Sequence, residues 1–544
     1  GGPSGRCRRM PGSLSLSPTT SLRAWQRDAL ERLDGWQGGP FLVSAAPGAG
    51  KTRPALELAR RMLSGAEVSR VVVLCPTTPL TRQWASAAAE LGVQLQPDAP
   101  GPRPPHDFHG VAVTYARVAA DSRSWSADMR TDTLVIVDEA HHLGDELAWG
   151  TSFQQAFAAA PRWLLLSGTP FRSDATPIPG VSYDAEGVAV PDVSYTYAQA
   201  VADGICRPVA FVTFDGTLSW RSGEDVIETS FETVLSAREA SRRYRTAIST
   251  ELPDGLPRIL READEKLREL RAGGHRDAGG LAVAADATHA RQIAKLLSQS
   301  TGHAPVVVLH TEARAAQKLA AFRASKEPWV VAVNMVSEGV DIPRLRVGVY
   351  ATAAKTPMIF RQIVGRFVRT IPGRMPEPSW VYLPADAVLR GHAAEVESEL
   401  RRALREREVE EGFDEPRERR ASEPSPAIDF VPLSAEVAPQ MTLFGPAPKA
   451  SAGVAEQTSP PAPLPAPPAP VAAFERRASL REERHRLVAD LSRRSGSSHR
   501  EINAWVNREV GVAKVEAASI QQLERMIQRL VRELTRHSRQ AVSG

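Results

Sequence analysis

The fold is decided by the stretch AAPGAGKT at residues 45–52 and by what flanks it. The apolar run at 41–44 is typical of a buried strand, and residues 54–63 have the pattern of a helix. Between them, Gly48 and Gly50 let backbone N–H groups close on phosphates at a helix N-terminus, where the dipole favours negative charge. We predict a phosphate-binding loop in which Lys51 reaches the β- and γ-phosphates of a nucleotide and Thr52 holds Mg²⁺. An ordinary glycine-rich turn is the alternative, because the loop lacks the leading glycine of the full pattern.

A pair of acidic residues further along the chain supports this prediction. The β-branched run at residues 133–137 predicts a strand that ends in Asp138 and Glu139. We expect Asp138 to bind Mg²⁺ and Glu139 to orient the attacking water as the general base. Without Lys51 upstream, a solvated acidic turn would be the natural interpretation.

The fold class follows from the alternation of strands, loops and helices. A further strand at residues 163–166 leads into a loop of small residues at 167–170. Such alternation predicts an α/β protein with a parallel sheet, whose ligands lie at the carboxyl ends of the strands. A chain of 544 residues is long enough for two or three domains with full cores.

Residues 20–390 resemble the superfamily 2 helicases and translocases of the DEAH type, on the branch related to the motor subunits of type I and type III restriction enzymes. The matching segments are LRAWQ at 22–26, AAPGAGKT at 45–52, CPTTPLTRQW at 75–84, VTY at 113–115, DEAHH at 138–142, SGTP at 167–170, MVSEGVDIP at 335–343 and QIVGRFVR at 362–369. Several motifs in one order are far more specific than any single string. The resemblance implies two tandem RecA-like parallel-sheet domains.

The resemblance further implies how ATP and Mg²⁺ are held. ATP would bind between the two RecA-like domains, with Arg366 and Arg369 as arginine fingers that stabilise the charge of the transition state. A basic face on a surface helix is the alternative for these two arginines. With Gln26 as the reader of adenine, the residues implied in ATP binding are Gln26, Pro47, Gly48, Ala49, Gly50, Lys51, Thr52, Gly339, Asp341 and Gln362.

The resemblance also implies roles in nucleic-acid binding and in coupling. Contacts with the nucleic-acid backbone are implied for Thr77, Gln83 and Thr114. Coupling of the ATP state to the strand is implied for Ser167 and Thr169, and a coupling role between the two domains is implied for His141. A histidine of the core or of the surface is the alternative for His141.

Composition excludes some classes of protein but does not by itself identify one. The net charge of +4 is nearly balanced, so binding to a polyanion would depend on local grooves. Cys7, Cys75 and Cys206 stand far apart and support neither a disulfide framework nor a zinc site. No run is long and apolar enough to span a bilayer and the start lacks a signal pattern, so we expect a cytoplasmic protein associated with nucleic acid.

Shifts in composition divide the chain into six predicted parts. They are an extension at 1–19, a first RecA-like domain at 20–204, a connector or insertion at 205–275, a second RecA-like domain at 276–411, a disordered Pro-rich linker at 412–473 and a helical module at 474–540. In the module, apolar residues at positions 520, 523, 527, 530 and 534 predict an amphipathic or coiled-coil helix that binds DNA, a partner or itself.

Inside the predicted linker, Gln440, Leu443 and Phe444 resemble the short peptide with which bacterial replication and repair proteins grip the sliding clamp. A disordered segment can fold such a peptide into an apolar groove, with Leu443 and Phe444 as anchors. Chance, or docking back onto the motor, is the alternative.

The resulting hypothesis is an ATP-dependent DNA helicase or translocase that acts in repair, replication, restriction or phage and plasmid maintenance. An RNA helicase is the alternative within the enzyme class, because such motors grip the backbone and nothing here reads a 2′-hydroxyl. A nucleotide-gated recruitment protein, acting through the linker and the C-terminal module, is the alternative from another class.

Overall fold

The computed structural model describes residues 22–145, 147–168, 177–185, 187–222, 225–309, 312, 314–333, 342–371, 373–374, 377–409, 430–441 and 472–543. These residues form two compact units. Of the described residues, the first unit holds those up to 43, those at 51–193 and those from 472 onward. The second unit holds residues 44–50 and the described residues between 194 and 441.

The first sheet is built from strands that alternate with helices. The elements are α1 Ala24–Asp34, β1 Gly39–Ala45, α2 Thr52–Ser64, β2 Arg70–Cys75, α3 Thr78–Glu90, β3 Leu95–Pro97, β4 Gly110–Thr114, α4 Tyr115–Ala120, α5 Ser122–Asp128, β5 Thr133–Asp138, α6 His142–Asp145, α7 Leu147–Phe157, β6 Arg162–Ser167 and β7 Val193–Tyr195. The strand order is β3-β4-β2-β5-β6-β1-β7. The predicted strand at 133–137 and the predicted helix at 54–63 are confirmed as β5 and α2.

Parallel pairing gathers the ends of four strands at one edge of this sheet. Strands β3, β4, β2, β5 and β6 all pair in parallel. The carboxyl ends of the last four are therefore Thr114, Cys75, Asp138 and Ser167, in spatial order. Fully buried strands such as β2 and β5 read as continuous apolar runs because both faces of the sheet are covered.

The second sheet belongs to the second unit. Its region contains α8 Tyr197–Ala202, β8 Val209–Ser222, β9 Asp225–Thr229, α9 Ala237–Ala247, α10 Leu256–Ala272, β10 Gly279–Ala284, α11 Ala287–Thr301, β11 Val306–Val308, α12 Ala315–Ala324, β12 Trp329–Val333, β13 Leu345–Ala351, α13 Pro357–Val364, β14 Ser379–Pro384, α14 Ala387–Val409 and β15 Phe430–Met441. The order is β11-β12-β10-β13-β14-β8-β15, with β9 paired to β8. Two parallel-dominated sheets with covering helices confirm the predicted tandem RecA-like α/β fold.

Two segments of the second unit differ from their sequence interpretation. The expected connector at 205–275 supplies β8, which pairs in parallel with β14 and so extends the second sheet. Within the expected linker, β15 pairs antiparallel with β8. Pro432 and Pro439 are compatible with this position, because β15 stands at the end of the sheet order and proline is tolerated in edge strands. Residues 410–429 and 442–471 lie outside the described residues.

The C-terminal module is helical, as predicted. It consists of α15 Ala473–Ser495, α16 His499–Val510 and α17 Ile520–Ser543. Ser498 and Glu501 form a capping box at the start of α16. The helices share a small apolar core made of Val488, Leu491, Ile502, Val506, Ala518, Leu523, Met526 and Leu530. In the part of the chain that is described, no helix is long and apolar enough to cross a membrane.

Candidate active site

The glycine-rich loop joins the end of β1 to the start of α2. Gly48 has φ +87° and Gly50 has φ +86°, a left-handed conformation that residues with side chains rarely adopt. Ala49 between them is buried, and its N–H donates to the carbonyl of Ala46 over 3.0 Å. The loop therefore has the strand, tight turn and helix N-terminus that a phosphate cradle requires.

The front of this loop, residues 44–50, belongs to the second unit, and there it lies against the predicted arginine-finger segment. A Cβ atom built on Gly48 would come within 2.9 Å of Arg369 Cδ. A Cβ atom on Gly365 would meet Pro47 Cβ at the same distance. Glycine at positions 48 and 365 thus permits a close approach, which a side chain at either position would force apart or distort.

In the first unit, Lys51 is paired with one of the two predicted acidic residues. Its Nζ atom lies 3.0 Å from Glu139 Oε1, and only 11% of the lysine side chain is exposed. Glu139 Oε2 accepts a hydrogen bond from the backbone N–H of Gly168 over 3.2 Å. Segments from α2, β5 and β6 therefore converge on one carboxylate.

The backbone at Glu139 is in an unusual conformation. Its φ of +53° is rare for a residue with a side chain, and such strain clusters at functional sites. Burial raises the pKa of Glu139, but the charge of Lys51 opposes this and holds that pKa well below its usual range. Glu139 is therefore ionised at neutral pH, as a base that orients water must be.

Asp138 is buried at the end of β5. The indole N–H of Trp84 donates to its Oδ2 atom over 2.8 Å, and the hydroxyl of Tyr115 donates to its backbone carbonyl. Burial, followed by the charge of Glu139, raises the pKa of Asp138, whereas Lys51 and the Trp84 hydrogen bond lower it. The two neighbouring carboxyls therefore have pKa values that are pushed apart by their surroundings.

The residues present fit a bound Mg²⁺. The expected donors are a hydroxyl at the first residue of α2, Thr52, and the buried carboxylate of Asp138. Mg²⁺ in nucleotide sites takes one or two protein oxygens together with phosphates and waters, so a dedicated cage is not required. Among the described residues there is no cluster of three or more His, Cys, Asp or Glu that could hold a metal by itself.

The coupling residues are partly described. His141 is buried, and its Nδ1 atom lies 3.4 Å from Ser167 Oγ and 3.6 Å from Glu139 Oε2. This places His141 between the end of β5 and the end of β6. Its role in coupling stays a prediction. Thr169 lies outside the described residues.

The residues predicted to contact nucleic acid follow the ends of β2 and β4, which are paired neighbours in the sheet. Thr77 stands at the N-cap position of α3 without a side-chain capping bond, and its Oγ1 atom is buried without a hydrogen-bond partner among the described residues. Gln83 is exposed on α3, and Thr114 accepts a hydrogen bond from the N–H of Arg117 at the start of α4. Thr77 and Thr114 thus follow strands whose carboxyl ends lie at the same sheet edge as Asp138, whereas Gln83 lies further along α3. Their contact with nucleic acid stays a prediction.

The remaining predicted residues are spread over the chain. Gln26 is buried in α1, where its Oε1 atom accepts from the N–H of Arg23 in a capping box. Gln362 lies in α13, and Gln440 lies in β15 opposite Thr213. The other predicted positions, Gly339, Asp341, Leu443 and Phe444, lie outside the described residues.

Three groups that contact Asp138 or Glu139 have no role assigned to them from the sequence. They come from Trp84, Tyr115 and the backbone N–H of Gly168. Each stands within a recognised motif, at 75–84, 113–115 and 167–170, so a signal was present. The motif pattern does not say which member of each segment turns toward the carboxylates.

Two family models match the chain. Residues 19–172 match the domain of the res subunit of type III restriction enzymes. Residues 265–370 match the helicase conserved C-terminal domain. The first match contains the phosphate loop and the acidic pair, and the second contains Arg366 and Arg369.

The chain is similar to another protein in sequence and to several solved structures in fold. An uncharacterized protein of Mycobacterium tuberculosis is 44% identical over 385 residues, covering 69% of this chain and 63% of the relative. The chain thus spans less than two thirds of the length of that relative. Among solved structures, the type ISP restriction-modification enzyme LlaBIII bound to DNA has a TM-score of 0.46 at 14% identity, covering 71% of this chain and 30% of that chain. Dbp5 of S. cerevisiae bound to RNA and ADP BeF3 has a TM-score of 0.45 at 15% identity, covering 69% of this chain and 86% of that chain.

Proposed function

We propose, from the premise that the chain belongs to the superfamily 2 helicases related to restriction-enzyme motor subunits, that it hydrolyses ATP to move along DNA. The single observation that supports this most strongly is the ion pair between Lys51 and Glu139. It brings together a phosphate-binding cation and a candidate base that stand 88 residues apart in sequence.

The proposed chemistry assigns one task to each group in the first unit. Lys51 and the N–H groups of the loop bind the β- and γ-phosphates, and Thr52 and Asp138 hold Mg²⁺. Glu139 orients the attacking water and takes up its proton. A bound Mg²⁺ would neutralise the charge that develops on the phosphate oxygens.

Arg366 and Arg369 complete the proposed mechanism. An arginine finger stabilises the charge of the transition state and commonly accelerates hydrolysis by ~10³ to 10⁵. The proximity of Arg369 to Gly48 supports this role, because it brings the guanidinium-bearing side chain to the loop that binds phosphates.

We propose DNA as the track because the first family model is that of a DNA restriction motor. The candidate contacts Thr77, Gln83 and Thr114 are small polar groups, which suits a grip on phosphates that does not read bases. RNA would be bound through the same phosphate contacts, so the experiment must distinguish RNA from DNA.

The test is the ATPase rate of the full chain with no polymer, with duplex DNA, with single-stranded DNA and with RNA. Each condition is repeated with Glu139→Gln, which keeps the shape of the side chain but removes the base. Stimulation by DNA that is lost in the variant supports the proposal. Stimulation by RNA alone would show that the protein moves along RNA and not along DNA. The absence of stimulation by any polymer would favour a nucleotide-gated recruitment protein.

The recruitment alternative makes a separate prediction. Substitution of Leu443 and Phe444 would then abolish function, whereas Glu139→Gln would not. Binding of the full chain to a purified bacterial sliding clamp, compared with the same chain carrying L443A and F444A, tests the predicted clamp peptide directly.

A further inference from the structure

One face of α17 carries a stripe of exposed arginines. Its members, the arginine stripe, are Arg525, Arg529, Arg532 and Arg536. Their spacing of four, three and four residues puts them on one side of an α-helix. Leu523, Met526 and Leu530, which are fully buried in the core of the module, occupy the opposite side. The stripe is therefore not part of the packing that folds the module.

The charges of this stripe are weakly compensated. Arg525 and Arg532 form no ion pair with any described residue. Arg529 lies 3.7 Å from a Glu509 oxygen, and Arg536 lies 3.8 Å from one of Glu533. Exposed ion pairs of this kind contribute ~0 to 1 kcal/mol, so an incoming anion can replace them easily.

The positive charge of the whole protein is concentrated in this module. Residues 473–543 contain fifteen Arg and Lys against nine Asp and Glu, an excess of six positive charges. The complete chain has an excess of only four, so the remainder is slightly negative. A basic face on an otherwise near-neutral protein is the electrostatic mark of a polyanion-binding surface.

The module belongs to the first unit and is held by direct contacts with the segment at residues 94–108. The N–H of Ala473 donates to Gln94 Oε1 over 3.0 Å, and the N–H of Ile520 donates to Asp107 Oδ2 over 2.6 Å. The guanidinium of buried Arg477 stands 5.5 Å from the ring centre of Phe108. Because Ile520 is the first residue of α17, the helix that carries the stripe is bonded directly to the segment before β4, within the same unit that holds Lys51 and Glu139.

We propose that the arginine stripe binds the phosphate backbone of duplex nucleic acid, through a helix that carries none of the candidate track contacts Thr77, Gln83 and Thr114. The stripe extends over twelve residues, or ~16 Å of helix axis. Over that length a DNA duplex presents about ten phosphate charges, roughly twice as many as a single strand, so the duplex is favoured. Arginine contacts to phosphates position a protein without reading sequence, so this binding is independent of base sequence.

The proposal rests on the proposed function only for the class of partner. It requires no ATP, so its failure is distinguishable from failure of the motor. A motor that lost the stripe would keep its polymer-stimulated hydrolysis at saturating DNA but would bind duplex more weakly. This is the expected effect of a second anchor that keeps the first unit on the DNA.

The test is the affinity of the full chain for a fluorescent 30-base-pair duplex of arbitrary sequence, without nucleotide, over a range of salt concentrations. The variant R525Q/R529Q/R532Q/R536Q is compared with R291Q/R323Q/R390Q, which removes exposed arginines from three helices of the second unit. We expect the stripe variant to bind at least about tenfold more weakly at low salt. The slope of log K against log salt should fall by about 3 to 4, and the control should match the parent. Thermal unfolding of both variants verifies that the module remains folded.

Further arms identify the ligand. Replacement of the four arginines by lysine should retain most of the affinity, because a phosphate contact needs charge. Single-stranded DNA, duplex RNA and vesicles of anionic lipid are tested in the same way. An unchanged affinity and salt slope for duplex in the stripe variant would overturn the proposal. A stripe-dependent binding to vesicles but not to duplexes would overturn it in favour of a membrane surface.

Discussion

The Nζ atom of Lys51 lies 3.0 Å from Glu139 Oε1, so the cation predicted to bind phosphates and the carboxylate predicted to activate water share one hydrogen bond. Since the charge of Lys51 keeps Glu139 ionised, the pair sets the protonation state that the proposed reaction needs. In the proposed reaction the two groups serve the same terminal phosphate.

Replacing Glu139 by glutamine should lower the ATPase rate by ~10² to 10⁴, because the general base is lost while the shape of the site is kept. The affinity for ATP should change by no more than a few-fold. Phosphate release measures the rate, and equilibrium binding of a fluorescent nucleotide measures the affinity. The control is Glu31→Gln, an exposed acidic residue of α1. Equal rates in the two variants would exclude Glu139 as the base.

Replacing Trp84 by phenylalanine should move the pH dependence of the ATPase. The indole N–H stabilises the ionised form of Asp138, so its loss raises a pKa that burial already raises. The Mg²⁺ ligand must be ionised, so activity is lost as pH falls through this pKa. The acidic limb of the profile should therefore shift to higher pH in Trp84→Phe.

The matched control for this shift is Trp125→Phe. Trp125 is also fully buried in the first unit and loses the same volume, but it lies in α5 and not at the carboxylates. It should reduce stability and leave the pH profile in place. An identical profile in parent and Trp84→Phe would show that the Trp84 hydrogen bond does not tune Asp138.

Replacing Arg369 by alanine should lower the maximal stimulated ATPase rate by ~10³ or more, whereas ATP affinity should fall only slightly. The reason is that a finger acts mainly on the transition state. We expect Arg366→Ala to behave similarly. Single-turnover hydrolysis measures the chemical step, with Arg390→Ala on the exposed side of α14 as the control. Loss of ATP affinity at an unchanged chemical step would assign these arginines to ground-state binding.

Replacing Arg477 by alanine should loosen the C-terminal module. Arg477 donates from Nε to the carbonyl of Ala518 over 3.0 Å and from Nη2 to that of Glu516 over 2.6 Å. Loss of two buried hydrogen bonds from a charged group should reduce the stability of the module by about 2 to 4 kcal/mol. Hydrogen exchange in α15, α16 and α17, followed by mass spectrometry, measures the change.

The adjacent Arg476 supplies the control for the module. It is 60% exposed and pairs with Glu524, an interaction worth at most about 1 kcal/mol. Arg476→Ala should leave the exchange pattern close to that of the parent. Equal protection in both variants would mean that the module is held by its apolar core alone.

The phosphate loop could be predicted because its chemistry is local. Gly48 and Gly50 must adopt positive φ, and a strand before and a helix after are read from consecutive residues. The acidic pair could be predicted for the same reason, since it directly follows an apolar strand. The contact of Trp84 with Asp138 could not, because it joins residues 54 apart and depends on the pairing of β2 with β5.

The segments around residues 205–275 and 430–441 show where composition misleads. Composition predicts a connector around β8 and a Pro-rich linker around β15. In the structure both strands extend the second sheet. A strand at the end of a sheet needs only one paired side, so its sequence tolerates proline and need not be a continuous apolar run. Sheet membership of such strands is decided by the neighbour that they pair with.

The sequence by itself determined an α/β fold with alternating strands and helices, the glycine-rich loop, the acidic pair and the helical C-terminal module, because strand and helix patterns and glycine turns are properties of neighbouring residues. The arrangement as two RecA-like sheets is implied by the resemblance of several motifs to one family. Only the tertiary structure decided that Lys51 meets Glu139, that Trp84 holds Asp138 and that the module is anchored through Asp107. These contacts join residues 88, 54 and 413 positions apart. Their partners are chosen by strand order and packing, which no local pattern specifies.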